Sequence, residues 1–439
     1  MTPTESTRFS TSLCIECVRS KQEQVHAWLS NYEHRLMPPI YSSVDIRDAG
    51  FKIAVIDTNL FPAGFNNLCE HGLADAGIAV EKAIHKRLHP SLTLPIKGRE
   101  KSNILIVAEE HTRNTWYLEN IRILQQIVEQ AGFKSQIATF FEQEPGLCDQ
   151  AARGLELKTA TNETVKSHCF KCVLEQIKKG EAKFDLIILN NDLSTGVPDN
   201  LRDIHIPIYP SAQAGWHSRL KSRHFTRANA LIKEFGAIVG LDPWFFSCFH
   251  ESLEGININE DADRTKLAQS ADTLFKKIRA KHKEHGINEK PFVFVKSDSG
   301  TYGMGVVPIE HPDELIDLNR RSKNKLYKGK SSQVISRFLL QEGVSTIHEI
   351  DGQVSEVCVY QIDNTLIGGF YRLNNEKNAR QNLNSTGMNF RKMCPHLDKY
   401  GRDCGIPHNL NIFDIYRILA RIAGIAASME IVELEKLKQ

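Results

Sequence analysis

Apolar residues recur with two different periods along this chain, and the pattern is clearest in its middle. Short β-prone runs occur at Asn103–Val107, Ser135–Phe140 and Phe184–Leu189. Between the first two, Trp116–Ala131 has the apolar spacing of a helix, which Gly132 is suited to end. This alternation of strands and helices predicts a three-layer α/β unit with a mostly parallel sheet.

Polar residues follow two of these predicted strands. Glu109–Asn114 comes after the first strand, and Asn190–Ser194 comes after the third. Ligands of open α/β sheets bind beyond the carboxyl ends of the strands, so both segments are candidates for a substrate-binding rim. Within the first segment, the candidates are Thr112, Arg113 and Asn114. Ordinary loop capping is the alternative interpretation.

A strand, a glycine-rich loop and a second strand are predicted within Phe292–Val307. The apolar run Phe292–Val295 precedes Lys296, and Ser297–Gly305 contains three glycines. Such a hairpin can fold over a polyphosphate, because glycines let backbone N–H groups approach the oxygens while Lys296 neutralises charge. A Walker-type loop does not fit, because its lysine follows the glycines. An ordinary glycine-rich turn remains the alternative.

Three further strands are predicted after this hairpin. Val334–Leu340 ends in Gln341-Glu342-Gly343-Val344, whose backbone groups could meet the edge of an adenine. Glu356–Ile362 and Thr365–Leu373 form a pair joined at Asp363-Asn364, a tight-turn sequence.

A polar loop follows this pair and is well supplied with donors for phosphate or carboxylate. These donors are Arg372, Asn374, Arg380, Asn382 and the segment Asn384–Gly387. Asn409–Ala427 is predicted to be a final amphipathic helix. The charged tail Glu430–Gln439 is predicted to be frayed or bound at the surface.

Two candidates for binding a charged ligand lie outside these segments. Phe51–Ile56 predicts a strand, after which Asp57 and Asn59 would face the same way and offer two oxygens to Mg²⁺. An Asx-type turn is the alternative, and these two residues alone favour it. Lys221 lies in a basic helical segment and could contact phosphate, although a solvated helix face would also explain it.

Composition narrows the classes of protein that this chain can belong to. Its 439 residues predict two or three domains, and no apolar run is long enough to span a membrane. The balance of 55 basic and 53 acidic residues argues against nucleic acid as the main partner. The start, MTPTESTRFS, has no secretory signal pattern.

The ten cysteines do not form the pattern of a disulfide scaffold, and a reduced, cytoplasmic setting is expected. Cys14 with Cys17, and Cys169 with Cys172, are interpreted as i,i+3 neighbours on helices. Cys394-Pro-His396, Cys404 and His408 are interpreted as loop residues. Structural zinc, which needs four converging ligands, is the less favoured interpretation.

The order of these elements resembles that of the ATP-grasp ligases over roughly residues 100–410. Within that superfamily, the chain resembles the proteobacterial-type glutamate–cysteine ligases in the runs DTNLFPAGFNNL, EEHTRN and VKSDSGTYGMGV. The resemblance implies an α/β (α+β overall) ATP-grasp fold preceded by a Rossmann-like substrate domain. The implied parts are an N-terminal segment (1–100), the substrate domain (101–215) and the nucleotide-binding domain (216–439).

The resemblance implies a ligase that uses ATP and Mg²⁺. Glutamate's side-chain carboxylate would become an acyl phosphate, and cysteine's amino group would displace phosphate to give γ-glutamylcysteine and ADP. Phosphoryl transfer needs positioning and charge neutralisation more than a protein nucleophile, so the residues suit this chemistry. Glutathione synthetase is the nearer alternative, and a non-catalytic nucleotide-binding protein is the remoter one. A homo-oligomer is possible, with no membrane or nucleic-acid partner.

The resemblance also implies roles for particular residues. The implied ATP-binding residues are Lys221, Lys296, Ser299, Gly300, Thr301, Tyr302, Gly303, Met304, Gly305, Gln341, Glu342, Gly343 and Val344. The implied catalytic residues are Lys296, Arg372, Asn382 and Asn384. The implied substrate-binding residues are Arg47, Lys52, Gly64, Phe65, Asn66, Thr112, Arg113, Asn114 and Arg380.

The metal-ligand candidates are Asp57, Asn59, Asp298 and, less favoured, Glu356. ATP-grasp ligases usually carry a Glu-x-Asn pair near the carboxyl end, which this chain lacks. Asp57-Thr58-Asn59 is similar to the early E-x-N pair of the circularly permuted eukaryotic-type glutathione synthetases. We therefore expect a permuted order, in which the Phe51–Ile56 strand joins the ATP-grasp sheet and faces Lys296.

Overall fold

The computed structural model describes residues 10–89, 102–141, 145–202, 204–300, 305–327, 334–396 and 410–437. Within them, the strands are β1 (Tyr41–Asp48), β2 (Ile53–Asn59), β3 (Asn103–Ala108), β4 (Lys134–Thr139), β5 (Leu155–Lys158), β6 (Thr164–Cys169), β7 (Leu186–Asn190), β8 (Ile208–Tyr209), β9 (His250–Glu254), β10 (Val293–Ser297), β11 (Val307–Ile309), β12 (Arg337–Glu342), β13 (Glu349–Ile350), β14 (Gln353–Ile362), β15 (Thr365–Leu373) and β16 (Asn389–Met393). The helices are α1 (Thr11–Ser20), α2 (Gln22–Arg35), α3 (Glu70–Leu88), α4 (Thr115–Gln130), α5 (Pro145–Ala151), α6 (Phe170–Lys178), α7 (Asp199–Arg202), α8 (Lys221–Val239), α9 (Asp261–Glu284), α10 (Arg320–Tyr327) and α11 (Leu410–Lys436).

Sheet I joins the beginning of the chain to its last third. Its strand order is β16-β15-β14-β1-β2, with β13 added beside β14, and its neighbouring strands run antiparallel. Tyr41 of β1 lies opposite Ile362 of β14, so the predicted Phe51–Ile56 strand reaches this sheet through β1. The Asp363-Asn364 turn has φ angles of 48° and 62°, as a tight hairpin requires. A permuted order of elements stays a prediction.

Sheet II contains the glycine-rich hairpin. It is antiparallel in the order β11-β10-β12-β9. The apolar run Phe292–Val295 enters β10 as predicted, with Val293 and Val295 fully buried. β12 runs two residues further than predicted, so that Gln341 and Glu342 lie within the strand. The implied ATP-binding residues Thr301, Tyr302, Gly303 and Met304 lie outside the described residues.

Sheet III confirms the predicted three-layer α/β unit. Its order is β5-β6-β4-β3-β7-β8, and all its strand pairs are parallel except β5 with β6. α4 follows β3 as predicted, and the side chain of Asn114 caps it by accepting from the Tyr117 N–H at 3.1 Å. Gly132, at φ 90°, follows the end of this helix.

The tail Glu430–Gln439 was predicted to be frayed or bound at the surface, and its described part is an ordered continuation of the last helix. α11 continues to Lys436, and Ser428 and Glu430 are buried. The tail is ordered because Glu430 accepts hydrogen bonds from Arg219 and His224, two partners that are remote in sequence. α11 thereby packs against α8 and against strands β1 and β2.

The cysteine interpretation was right for one pair and wrong for the other. Cys14 and Cys17 lie on α1, whereas Cys169 ends β6 and forms a disulfide with Cys148. This disulfide departs from the expectation of wholly reduced cysteines. Across the part of the chain that the structure describes, every helix is too short or too polar to cross a membrane.

Candidate active site

A charged cavity lies between sheets I and II, and we call it the intersheet cavity. β1, β2 and β14 line one side, β10 lines the other, and residues from α8 and the polar loop complete it. The lining residues are Asp45, Arg47, Ile56, Asp57, Lys221, Phe294, Lys296, Ser297, Ser299, Gly300, Val306, Glu356, Asn382 and Asn384. Nine of the sequence candidates therefore come together here, although they are spread over more than 300 residues.

Lys296 links the two sheets across this cavity. Its backbone belongs to β10, and its Nζ donates to the carbonyl of Ile56 on β2 at 3.2 Å. Burial lowers the pKa of Lys296 to about 8, against the opposing effect of Asp57. The ammonium is thus held next to the residue that precedes Asp57.

Asp57 is an ionised carboxylate at the floor of the cavity. Lys221 Nζ donates to its Oδ1 at 2.5 Å, and about a third of the Asp57 side chain (36%) is exposed. Burial would raise the pKa of Asp57, but the charges of Lys221 and Lys296 outweigh it and lower the pKa to about 2. Asp45 lies directly opposite Asp57, beside a bulge in the β1–β2 pairing.

A buried group of arginines and carboxylates forms the neighbouring wall. Glu356 accepts from Arg372 at 2.6 Å and forms an ion pair with Arg47 at 2.7 Å. Arg372 also pairs with Asp45 at 3.0 Å. Burial would raise the pKa of Glu356, but the two guanidinium groups hold it below its usual value. Glu356 therefore stays charged at neutral pH.

Arg47 also holds the polar loop in place. Its guanidinium donates to the carbonyls of Ala379 and Gln381 at 3.2 and 2.6 Å. This contact brings Asn382 and Asn384 to the cavity. In this structure, Arg47 therefore positions the loop, although the sequence implied that it binds a substrate carboxylate.

The Gln341–Val344 segment lies beside the same cavity. Gln341 Nε2 donates to the carbonyl of Ile56 at 3.5 Å, while its buried Oε1 has no partner among the described residues. Val344 offers its carbonyl to Arg47 at 3.1 Å. Gly343 packs so closely on the Phe292 ring that a Cβ there would lie 2.3 Å from it.

Lys52 and Glu342 form a buried ion pair. Neither belongs to the described residues that line the intersheet cavity. Their charged atoms are 2.7 Å apart, and both side chains are 1% exposed. Glu342 also accepts from the Trp244 indole and the Phe249 N–H, both at 2.9 Å. In this structure, both residues join sheet II to β2 and the segment after α8.

Two of the metal-ligand candidates are engaged elsewhere. Asn59 exchanges both side-chain amide contacts with the backbone of Phe61, which is the Asx-type turn that the residues alone favoured. Asp298 is fully buried, and both its oxygens accept from Ser222 at 2.7 Å at the start of α8. It thereby fixes the helix that carries Lys221.

The remaining substrate-binding candidates lie outside the lining of the cavity. Phe65 is buried, and its N–H donates to Asn120 of α4 at 3.0 Å, which ties this segment to sheet III. Gly64 is needed because a Cβ there would lie 2.6 Å from the Tyr360 hydroxyl. Thr112, Arg113 and Asn114 lie between β3 and α4. Asn66 lies in the short 3-10 helix Phe65–Asn67. Arg380 donates to the backbone carbonyls of residues 290 and 291.

Three buried residues that sequence reasoning missed hold Asp57 in position. Arg219 donates to the Thr58 carbonyl at 2.7 Å, and His224 meets the Thr58 hydroxyl at 3.0 Å. Glu430 of α11 pairs with both Arg219 and His224, at 3.1 and 3.0 Å. No local pattern in the charged tail distinguishes Glu430 from the exposed acidic residues around it.

The residues present fit a nucleotide with a magnesium ion. The site combines four basic side chains with three acidic ones: Arg47, Lys221, Lys296 and Arg372 against Asp45, Asp57 and Glu356. This balance of charge suits a polyanion that binds together with a cation. Asp57 offers ionised oxygens of the kind that Mg²⁺ prefers. The buried Nε of Arg372 has no partner among the described residues, so it has a donor to offer.

The fold and the charged cavity define this protein as an α/β enzyme, a ligase. The model of the family GshA, glutamate-cysteine ligase, matches residues 16–431, and the chain belongs to this family. A solved structure from Methylobacillus flagellatus KT, provisionally named a gamma-glutamylcysteine synthetase, is 31% identical, covers 98% of each chain and has a TM-score of 0.81.

More distant comparisons add nothing to this assignment. D-alanyl-alanine synthetase A from Vibrio cholerae O1 biovar eltor str. N16961 is 11% identical over 74% of this chain and 82% of its own, with a TM-score of 0.32. No argument rests on that likeness. None of the curated proteins compared with this chain matches it.

Proposed function

We propose that this protein joins the side-chain carboxylate of glutamate to the amino group of cysteine, with ATP as the phosphoryl donor. The products are γ-glutamylcysteine, ADP and phosphate, and the reaction is the first step of glutathione biosynthesis. The main support for this proposal is that Lys221, Lys296 and Asp57 line one cavity in a member of the glutamate-cysteine ligase family.

The two lysines bind the phosphates of ATP. Both ammonium groups lie in the intersheet cavity, beside backbone groups of Ser299 and Gly300. A glycine at φ 101°, Gly300, lets the chain turn there with its N–H groups accessible. Fixed positive charge around the transferring phosphoryl group is the main contribution that a protein makes to this chemistry.

Asp57 would hold Mg²⁺, and Asp45, which lies opposite it on β1, lines the same cavity together with Glu356. Lys221 leaves Asp57 for the phosphates when ATP binds, and the carboxylate is then available as a metal ligand. Bound Mg²⁺ neutralises charge on the phosphate oxygens. Asn59 and Asp298 remain predicted ligands, and each would have to exchange its present hydrogen bonds to reach the ion.

Arg372, Asn382 and Asn384 orient the glutamate carboxylate and its acyl phosphate. The carboxylate oxygen attacks the γ-phosphorus and ADP leaves; the cysteine amine then attacks the acyl carbon and phosphate leaves. The position of Arg372, between Asp45 and Glu356, supports a role next to the reacting groups. Gln341–Val344 frames the adenine, an assignment supported by the buried Oε1 of Gln341.

Glutathione synthetase activity, the nearer alternative, is distinguished by supplying substrates in pairs. Purified protein receives Mg²⁺ and ATP with each pair drawn from glutamate, cysteine, γ-glutamylcysteine and glycine. We expect phosphate and ADP only with glutamate plus cysteine. Release of AMP and pyrophosphate, or a strict requirement for glycine, would overturn the proposal.

A further inference from the structure

A second cluster of reactive side chains lies away from the intersheet cavity. Cys69 caps the N-terminus of α3, His71 lies in the first turn of that helix, and Cys394 directly follows β16. The two sulfurs and a ring nitrogen of His71 all lie within 4.8 Å of one another. Both cysteines are buried and unbridged, and His71 is half-buried.

Both sulfurs accept a hydrogen bond from a backbone N–H group. Cys69 Sγ accepts from the Gly72 N–H at 3.3 Å, at the positive end of a 19-residue helix. Cys394 Sγ accepts from the His396 N–H at 3.4 Å. Sulfur is a soft ligand of the kind that zinc accepts, and a bound metal ion would displace the thiol proton.

The distances suit a tetrahedral ion after a small contraction. Zinc bonds of about 2.3 Å to sulfur and 2.0–2.1 Å to nitrogen place tetrahedral ligand atoms roughly 3.6–3.8 Å apart. His71 Nδ1 already lies 4.0 Å from Cys394 Sγ. The three ligand atoms therefore need to close by roughly 1 Å around an ion.

His396 is the candidate for a fourth ligand, because its backbone N–H already contacts Cys394 Sγ at 3.4 Å. His396 lies two residues after Cys394, and its Nε2 lies 2.5 Å from Asp75, which is one turn beyond His71 on α3. A histidine that ligates a metal through one nitrogen commonly presents its other nitrogen to a carboxylate. The chain thus carries Cys-x-His twice, at 69–71 and 394–396.

We propose that Cys69, His71, Cys394 and His396 bind one Zn²⁺ ion that ties the start of α3 to the end of β16. None of the four lines the intersheet cavity, so the site is separate from the ligase site. The sequence alone did not reveal it, because the two Cys-x-His segments are more than 300 residues apart. Their convergence brings three of the four ligands of a structural zinc site within 4.8 Å of one another, and His396 would supply the fourth.

Metal content of the purified full-length protein tests the proposal. After incubation with Zn²⁺ and removal of loosely bound metal, we expect one zinc ion per chain. Cys69→Ser and His71→Ala should each lose the ion. The matched control is Cys172→Ser, which alters a separate cluster of three cysteines (Cys148, Cys169 and Cys172) and should keep the ion. No zinc in the unaltered chain, or its loss in the control alone, would overturn the proposal.

Cobalt substitution keeps the test decisive if a variant fails to fold. Co²⁺ bound to the unaltered protein should show thiolate-to-cobalt absorption and the visible bands of a tetrahedral site. His396→Ala should weaken cobalt binding at least tenfold because a ligand is lost. Cobalt spectra without thiolate bands, or oxidation of Cys69 and Cys394 to a disulfide in place of metal binding, would refute the site. Undiminished binding by His396→Ala would refute the fourth ligand.

Discussion

Glu430→Gln removes a charge on which the position of Asp57 depends. The Glu430 carboxylate is 4% exposed and pairs with Arg219, whose side chain is 2% exposed. The substitution preserves shape but leaves the guanidinium without a counter-charge in a buried setting. Breaking a buried ion pair in this way costs about 3–5 kcal/mol of folding free energy. With a urea m-value of about 3 kcal/mol/M, the midpoint of unfolding should fall by about 1–2 M.

The same substitution should also impair catalysis. Arg219 and His224 hold Thr58, the neighbour of Asp57, so their displacement moves the proposed metal ligand. A shift of about 1 Å at such a site can lower the rate by about 100-fold. We therefore expect a lower kcat at saturating substrates, under conditions in which the variant is still folded.

Glu433→Gln is the matched control for this prediction. Glu433 lies one turn further along α11 and pairs with Arg227, but its side chain is 45% exposed. Loss of an exposed pair changes stability by about 1 kcal/mol or less. Equal urea midpoints for the two variants would refute the argument that the buried pair anchors α11 to β2.

Three further predictions concern the intersheet cavity. Lys296→Ala should lower kcat/KM for ATP by about 100-fold or more, because a charge partner of the transferring group is lost; near-normal kinetics would exclude that role. Asp57→Asn should raise the Mg²⁺ concentration needed for half-maximal turnover, and an unchanged Mg²⁺ titration would remove Asp57 from the metal site. Because burial lowers the pKa of Lys296 to about 8, kcat/KM for ATP should fall above about pH 8, where the amine becomes neutral. A profile that stays flat to about pH 10, the ordinary pKa range of lysine, would contradict this last prediction.

Elements whose signals are local could be predicted from the sequence. Phe292–Val295 is buried strand because all four residues are apolar and β-prone. The Asp363-Asn364 turn followed from two residues that tolerate positive φ between two β-prone runs. Asp57 and Lys296 were expected to face each other only because of the family resemblance, since no local pattern relates them; both line the intersheet cavity.

Partners that are remote in sequence could not be predicted. Glu430 lies in a charged segment, and its burial depends on Arg219, about 200 residues earlier in the chain. Asp45 was overlooked because its ion pair with Arg372 forms only when strands β1 and β15 come together in sheet I. For Asn59, the residue type favours a local Asx-type turn, and the structure contains that turn. Its role as a metal ligand stays a prediction.

The central claim is that glutamate is activated as an acyl phosphate in the intersheet cavity. It is tested most directly with glutamate whose side-chain carboxylate carries ¹⁸O, in the presence of ATP, Mg²⁺ and cysteine. The carboxylate oxygen that attacks the γ-phosphorus stays with phosphorus when the amine displaces phosphate. The account predicts one ¹⁸O atom in each phosphate released, with the other retained in the new amide. Unlabelled phosphate formed together with γ-glutamylcysteine would contradict it.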